Sequence, residues 1–135
     1  MNIYIVIPAH NEEDFIGKTL QSIVEQTLLP KKLVVVNDNS SDNTQTIIEG
    51  YASKYPWITI VNIQSSDLHL PGSKIINAFN KGLDTLDDNY SIICKFDADL
   101  IFPNNYLEQI TTHFNANEKL GMASGFCYIK KDSDW

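Results

Sequence analysis

Arginine is absent from this chain of 135 residues, so its ten bases are all lysines, set against 17 acids for a formal net charge of −7. A domain without the planar, bidentate guanidinium and with excess negative charge is poorly equipped to neutralise a phosphate backbone, which argues against nucleic acid as a partner. To hold an anionic ligand, such a domain needs a cation, a few placed lysines or backbone N–H groups, and the acidic balance favours a metal. Cysteine is scarce as well. Cys94 and Cys127 lie in apolar runs far apart and lack zinc-ligand spacing, so both are expected as buried, reduced thiols. No run approaches the ~18 consecutive apolar residues of a membrane span, and the amino terminus passes straight into strand-like sequence with no signal-peptide pattern, so a cytoplasmic setting is expected. Repeats, low-complexity tracts and linker-like shifts in composition are also missing. With 43% hydrophobic and 20% charged residues, the chain reads as one globular domain over 1–135 that buries roughly two thirds of its unfolded surface.

Glycine-rich phosphate loops are a further absence. Where a dinucleotide fold carries G-x-G-x-x-G after its first strand, this chain has Pro8-Ala9-His10-Asn11-Glu12-Glu13, and no G-x-x-x-x-G-K-[ST] occurs anywhere. A phosphoacceptor signalling domain, which places an acidic pair at the end of its first strand, fits no better.

What is present is an alternation of strands and helices. Residues 2–8 form a β-branched run ended by Pro8, suited to a strand buried on both faces. Asn11 is expected to cap a first helix with Glu12, Glu13 and Asp14 in its first turn and Ile16, Leu20, Ile23 and Val24 on its apolar face. A second strand spans Lys32 to Asn37, and the turn from Asp38 to Asp42 leads to a helix that buries Ile47, Ile48, Tyr51, Ala52 and Tyr55. A third strand covers Trp57 to Ile63. After a polar loop from Gln64 to Gly72, a helix capped by Ser73 buries Ile75, Ile76, Phe79, Leu83 and Leu86. A fourth strand runs from Tyr90 to Phe96, and a helix starting at Pro103 turns Leu107, Ile110 and Phe114 inward. A fifth apolar stretch lies near Met122 to Ile129. This order predicts an α/β fold, a mostly parallel doubly wound sheet flanked by helices, with ligands bound outside the carboxyl ends of the strands.

Three polar clusters fall on that rim: Pro8 to Glu12, Asn37 to Ser40, and Asp97-Ala98-Asp99. Two carboxylates one residue apart at the end of a buried strand can reach one divalent cation, and a cation there can hold a diphosphate. Alone, Asp-x-Asp is common in solvated turns; its weight comes from the company of the other two clusters. His10, His69 and His113 read as a pocket wall and two solvated side chains, Trp57 and Phe96 as core packing, and Asp87-Asp88 as a solvated helix end.

These residues resemble the N-terminal, nucleotide-binding half of family 2 glycosyltransferases with the Rossmann-like GT-A fold. Val6-Ile7-Pro8-Ala9-His10-Asn11-Glu12-Glu13 is similar to that family's first-strand motif, Val35-Val36-Asn37-Asp38-Asn39-Ser40-Ser41-Asp42-Asn43-Thr44 to its V-V-x-D-G-S-x-D-x-T segment, and Lys95-Phe96-Asp97-Ala98-Asp99 to its DXD motif, in the same order. The resemblance implies that Pro8, Ala9 and Glu12 line the nucleoside pocket, that Asn37 or Asp38 bonds the base, that Lys74 reaches the diphosphate, that Asp97 sits by the ribose and donor phosphate, and that Asp99 ligates Mg²⁺ or Mn²⁺. It implies inverting transfer of a sugar from a nucleoside-diphosphate sugar to a hydroxyl of a glycan, a lipid-linked glycan or a protein. The general base and the acceptor half are expected beyond Trp135, in parts that leave room for peripheral membrane association. A non-catalytic nucleotide-binding or interaction module that keeps the fold is the alternative. Two positions depart from the pattern: Leu100 stands where a further acid is common, and Asn39 where glycine is common, a mild change because asparagine tolerates left-handed backbone.

Overall fold

The structure is a computed structural model and describes residues 1–65 and 73–127. In chain order the elements are β1 (Ile3–Ala9), α1 (Ile16–Val24), β2 (Lys32–Asp38), α2 (Thr44–Lys54), β3 (Ile58–Ile63), α3 (Ser73–Asp84), β4 (Ile92–Lys95) and α4 (Tyr106–Ala116). The four strands form one sheet in the order β3-β2-β1-β4, parallel at every pairing. The chain steps outward from β1 through β2 to β3 and then crosses back to the far side of β1. The reversal between β1 and β4 is a topological switch point, where the carboxyl ends of the strands open a crevice.

The continuous apolar runs of β1 and β2 are explained by burial on both faces. Ile3, Ile5, Ile7, Leu33 and Val35 pack with Ile16, Leu20 and Ile23 of α1, Ile48 of α2, and Leu107 and Ile110 of α4. Val6, Val34 and Val36 pack instead with Ala78 and Phe79 of α3. Here α3 lies unusually close to the sheet. A Cβ on Gly82 would stand 2.6 Å from Val36 Cγ2 and 2.7 Å from Val6 Cγ1, so only glycine fits.

Several local expectations are corrected. Asn11 is not a helix cap: it takes a left-handed backbone with φ of 50°, and α1 begins only at Ile16, after a turn in which the Phe15 and Ile16 amides both donate to Glu12 O at 3.1 and 2.8 Å. Its acids therefore precede the helix. Likewise α4 starts at Tyr106, three residues after Pro103, whose carbonyl accepts from the Tyr106 amide at 3.1 Å. Ile75 and Ile76 are exposed; the small residues Ala78 and Gly82 are what α3 buries. Met122 and Phe126 are 85% and 90% exposed and form no strand, and Cys127 is exposed, whereas Cys94 is buried and its thiol is pushed up to about 12 by desolvation. No described element covers that stretch; Gly125 N–H reaches the Tyr106 hydroxyl at 3.1 Å. Asp87 is not a free solvated end, because it accepts from the Tyr4 hydroxyl at 2.5 Å and from Lys32 Nζ at 2.6 Å. Its carboxyl is held well below the usual range, mainly by Lys32 and Tyr4. His69, Pro71 and Gly72 lie outside the described residues, as do residues 128–135. Among the described residues no helix is long and apolar enough to cross a membrane.

Candidate nucleotide-binding site

Parallel register delivers the tips of β1 and β2 side by side, with Ala9 opposite Asn37. Beyond that pair, side chains take over from the ladder. His10 Nδ1 lies 2.6 Å from the Asp38 carbonyl; the partner is an acceptor, so Nδ1 carries the proton. Asn11 donates its amide to Ser40 Oγ at 3.0 Å and accepts the Ser41 amide on Oδ1 at 2.8 Å. Glu12 donates its amide to Thr44 Oγ1 at 2.9 Å. Two asparagines in left-handed backbone, Asn11 and Asn39, form the two bends, where a short polar side chain makes that conformation tolerable.

Asn37 and Asp38 are both buried at the end of β2. The Asn37 carboxamide is engaged at both ends, donating to Gln45 Oε1 at 2.6 Å and accepting from Ser40 Oγ at 2.5 Å. Asp38 accepts the Ser65 amide at 2.9 Å and the Ser65 hydroxyl. Pro8 is half-buried and Ala9 buried in the last two positions of β1. Lys74, half-buried, is the second residue of α3, on the same rim because α3 follows the carboxyl end of β3. Among the described residues no hydrogen bond or ion pair ties it to the other site residues.

The third cluster approaches from the other side of β1. Val6 pairs with Lys95, and the Phe96 amide donates to Val6 O at 3.2 Å, the last ladder contact before Asp97-Ala98-Asp99. Ala98 is buried between the two acids, while the Asp97 side chain is 60% exposed with Lys95 Nζ at 3.6 Å. Parallel pairing of β1 with β4 brings this turn beside the tip of β1, and the Glu12 carboxyl there is raised above its usual range, first by burial and then by Asp99, Asp42 and Asp97, against a lowering by His10. Among the described residues no group of three or more His, Cys, Asp or Glu forms a ready metal cage. Two carboxylates with oxygen donors, placed where negative charge is unbalanced, fit a hard divalent ion whose remaining ligands come from phosphate and water.

One set of contacts gave no sequence signal that was read. Thr19, Ser22 and Gln26 of α1 and its end are buried, and their side chains bond the backbone from Ala98, between the two acids, to Leu107. Their spacing of three and four residues, in step with apolar Ile16, Leu20 and Ile23, is the pattern that marks them as inward-facing.

The family model described as glycosyl transferase family 2 matches residues 4–135. The chain belongs to glycosyl transferase family 2. It is 37% identical over 100 residues to the probable glycosyltransferase YdaM of Bacillus subtilis, covering 72% of this chain and 22% of that protein. It is 28% identical over 131 residues to the poly-beta-1,6-N-acetyl-D-glucosamine synthase of Staphylococcus epidermidis, covering 97% of this chain and 30% of the synthase. Among solved structures, S. aureus TarS 1–349 in complex with UDP superposes with a TM-score of 0.71 at 23% identity, over 87% of this chain and 33% of that one. The mannosyltransferase PcManGT of Pyrobaculum calidifontis, solved with GDP-Man and Mn²⁺, gives the same score at 23% identity over 89% and 34%. The expected GT-A architecture is thus the one observed, and this family 2 chain spans less than half the length of each of these proteins. The three motifs that carried the resemblance occupy the tips of β1, β2 and β4 of the family 2 domain.

Proposed function

We propose that this domain binds the donor of a metal-dependent, inverting glycosyltransferase: a nucleoside-diphosphate sugar whose sugar passes to a hydroxyl of a glycan, lipid-linked glycan or protein. The observation that carries the reading is the gathering of three tips on one rim, set by the parallel pairing of β1 with β2 on one side and with β4 on the other. In this reading Pro8, Ala9 and Glu12 wall the nucleoside. Asn37 or Asp38 reads the polar edge of the base; each side chain is already engaged at two atoms, Asn37 by Gln45 and Ser40 and Asp38 by Ser65. Lys74, at the start of α3, meets the diphosphate as a point charge on a long side chain. Asp97 stands by the ribose and phosphate, and Asp99 holds Mg²⁺ or Mn²⁺. A bound ion supplies Lewis-acid stabilisation of the charge that builds on the departing diphosphate. Support comes from the relatives: TarS is solved with UDP and with UDP-GlcNAc, and PcManGT with GDP-Man and Mn²⁺. The reaction also requires a carboxylate within hydrogen-bond reach of the acceptor hydroxyl to take its proton.

Calorimetric titration of the chain with UDP, GDP and CDP, each with and without Mn²⁺, tests this. The expected result is binding that strengthens with Mn²⁺ and loses that gain, about tenfold or more, in Asp99→Ala. Metal-independent binding of nucleoside triphosphates would point to a nucleotidyltransferase instead, and absence of any binding would leave only a module that retains the fold.

A further inference from the structure

β4 ends at Lys95, and after the Phe96 amide bonds Val6 O no strand pairing supports the chain that carries Asp97 and Asp99. Something else must hold the turn. We propose that a buried polar ladder on α1, made of Thr19, Ser22 and Gln26, is the mount that fixes the Asp97–Asp99 turn, so that the metal–diphosphate geometry is set from α1. This rests on the donor-site reading above.

The contacts follow one another from Thr19 and Ser22 on α1 to Gln26, just past the end of that helix. Thr19 Oγ1 donates to Ala98 O at 2.9 Å, the carbonyl between the two acids. Ser22 Oγ accepts the Phe102 amide at 3.1 Å and donates back to Thr19 O at 2.7 Å, which links the first rung to the second. Gln26 Nε2 donates to Ser22 O at 3.0 Å and to Pro103 O at 2.5 Å, while its Oε1 accepts the Leu107 amide at 2.9 Å. That last bond satisfies a first-turn amide of α4, whose own N-cap, Asn105, makes no side-chain bond. Thr19, Ser22 and Gln26 are 0%, 6% and 6% exposed. A buried hydroxyl or carboxamide destabilises unless it is bonded, and each of these three finds a partner in the loop between Ala98 and Leu107. All three are buried and spend their polar atoms on backbone groups of that loop, so they are positioning residues. A ladder of this kind lets both carboxylates stay exposed and unbonded to the protein core while their backbone is rigid, which is the preorganisation a metal ligand pair requires.

The test compares Thr19→Val, which keeps the shape and removes the hydroxyl, with Thr19→Ser, which restores it, and with Ser22→Ala, all in the 135-residue chain. UDP and GDP are titrated with Mn²⁺ and with a chelator, and amide hydrogen exchange is followed over residues 96–103. Thr19→Val is expected to lose about tenfold in the Mn²⁺-dependent part of the affinity, leave the chelator value unchanged, and exchange faster in 96–103, with Thr19→Ser close to wild type. Ser22→Ala should speed exchange in the same segment, and it decides the matter if Thr19→Val does not fold. Equal loss with and without metal, or unchanged exchange in both variants, would overturn the mount. If the wild-type chain binds neither nucleotide, the donor reading fails by itself; faster exchange confined to 96–103 then still supports the mount, and unchanged exchange rejects it.

Discussion

Glu12 concentrates the electrostatic character of the rim in a single carboxyl. Burial, then Asp99, Asp42 and Asp97, raise its pKa, so the folded state favours the neutral form. The sign follows: the contribution of Glu12 to stability is present at low pH and is lost as pH rises through the raised value. Glu12→Gln, uncharged throughout, is therefore expected to be more stable than wild type at pH 7, by up to about 1 kcal/mol for a partly exposed group among like charges. The gap should close below about pH 4, where the native glutamate is protonated in both folded and unfolded chains. Thermal unfolding of the two proteins across that range reads the difference directly; a variant no more stable at pH 7 would mean that the carboxylates do not converge. At this scale the sequence was informative about residue type and weaker about partners. Asn11 looked like a cap because asparagine favours that role, yet the positive φ it also tolerates is what the bend uses. Asp87 looked solvated because its partners, Tyr4 and Lys32, are 83 and 55 residues away in sequence.

Elements were easier to read than their edges. The β-branched runs of β1 and β2 have one physical explanation, burial on both faces, and the structure has them in the middle of the sheet. By contrast, the inward face of α3 matches the expectation only in part: Phe79 and Leu86 pack against the core, but Ile75 and Ile76 are exposed, and the close approach to Val6 and Val36 demands Ala78 and Gly82. Gly82→Ala tests that approach. Alanine favours a helix over glycine by up to about 1 kcal/mol, but its methyl would collide with two valines in the sheet. The expected net outcome is a loss of about 1–2 kcal/mol in urea unfolding, within the range of an overpacked core; a gain in stability would show that α3 can lift away freely. The α1 ladder went unread for a related reason. Thr, Ser and Gln on a helix usually face solvent, and only the backbone from Ala98 to Leu107, which pairs with them, gives them a reason to be inside.

For the whole molecule, fold and chemistry are joined by topology. The strand order β3-β2-β1-β4 is parallel, so the tips of β1, β2 and β4 carry their polar clusters to one rim, with the topological switch point between β1 and β4. Under the proposed function, a chain with no arginine and a net charge of −7 would meet its polyanionic donor chiefly through a cation. The order of the three motifs was legible before the fold because their separations match strand–helix units; the exposure of Met122 and Phe126 was not, since an apolar run gives no sign of whether anything covers it. The central claim is that one ion sits among the three tips. Paramagnetic Mn²⁺ added with UDP or GDP to the isotopically labelled chain tests it most directly, by which backbone amide signals broaden. The account predicts broadening at residues 9–12, 38–41 and 97–100 together, with Asn2, Asp87 and Asn89 at the opposite rim unaffected. Broadening confined to one tip, or centred on the opposite rim, would contradict it.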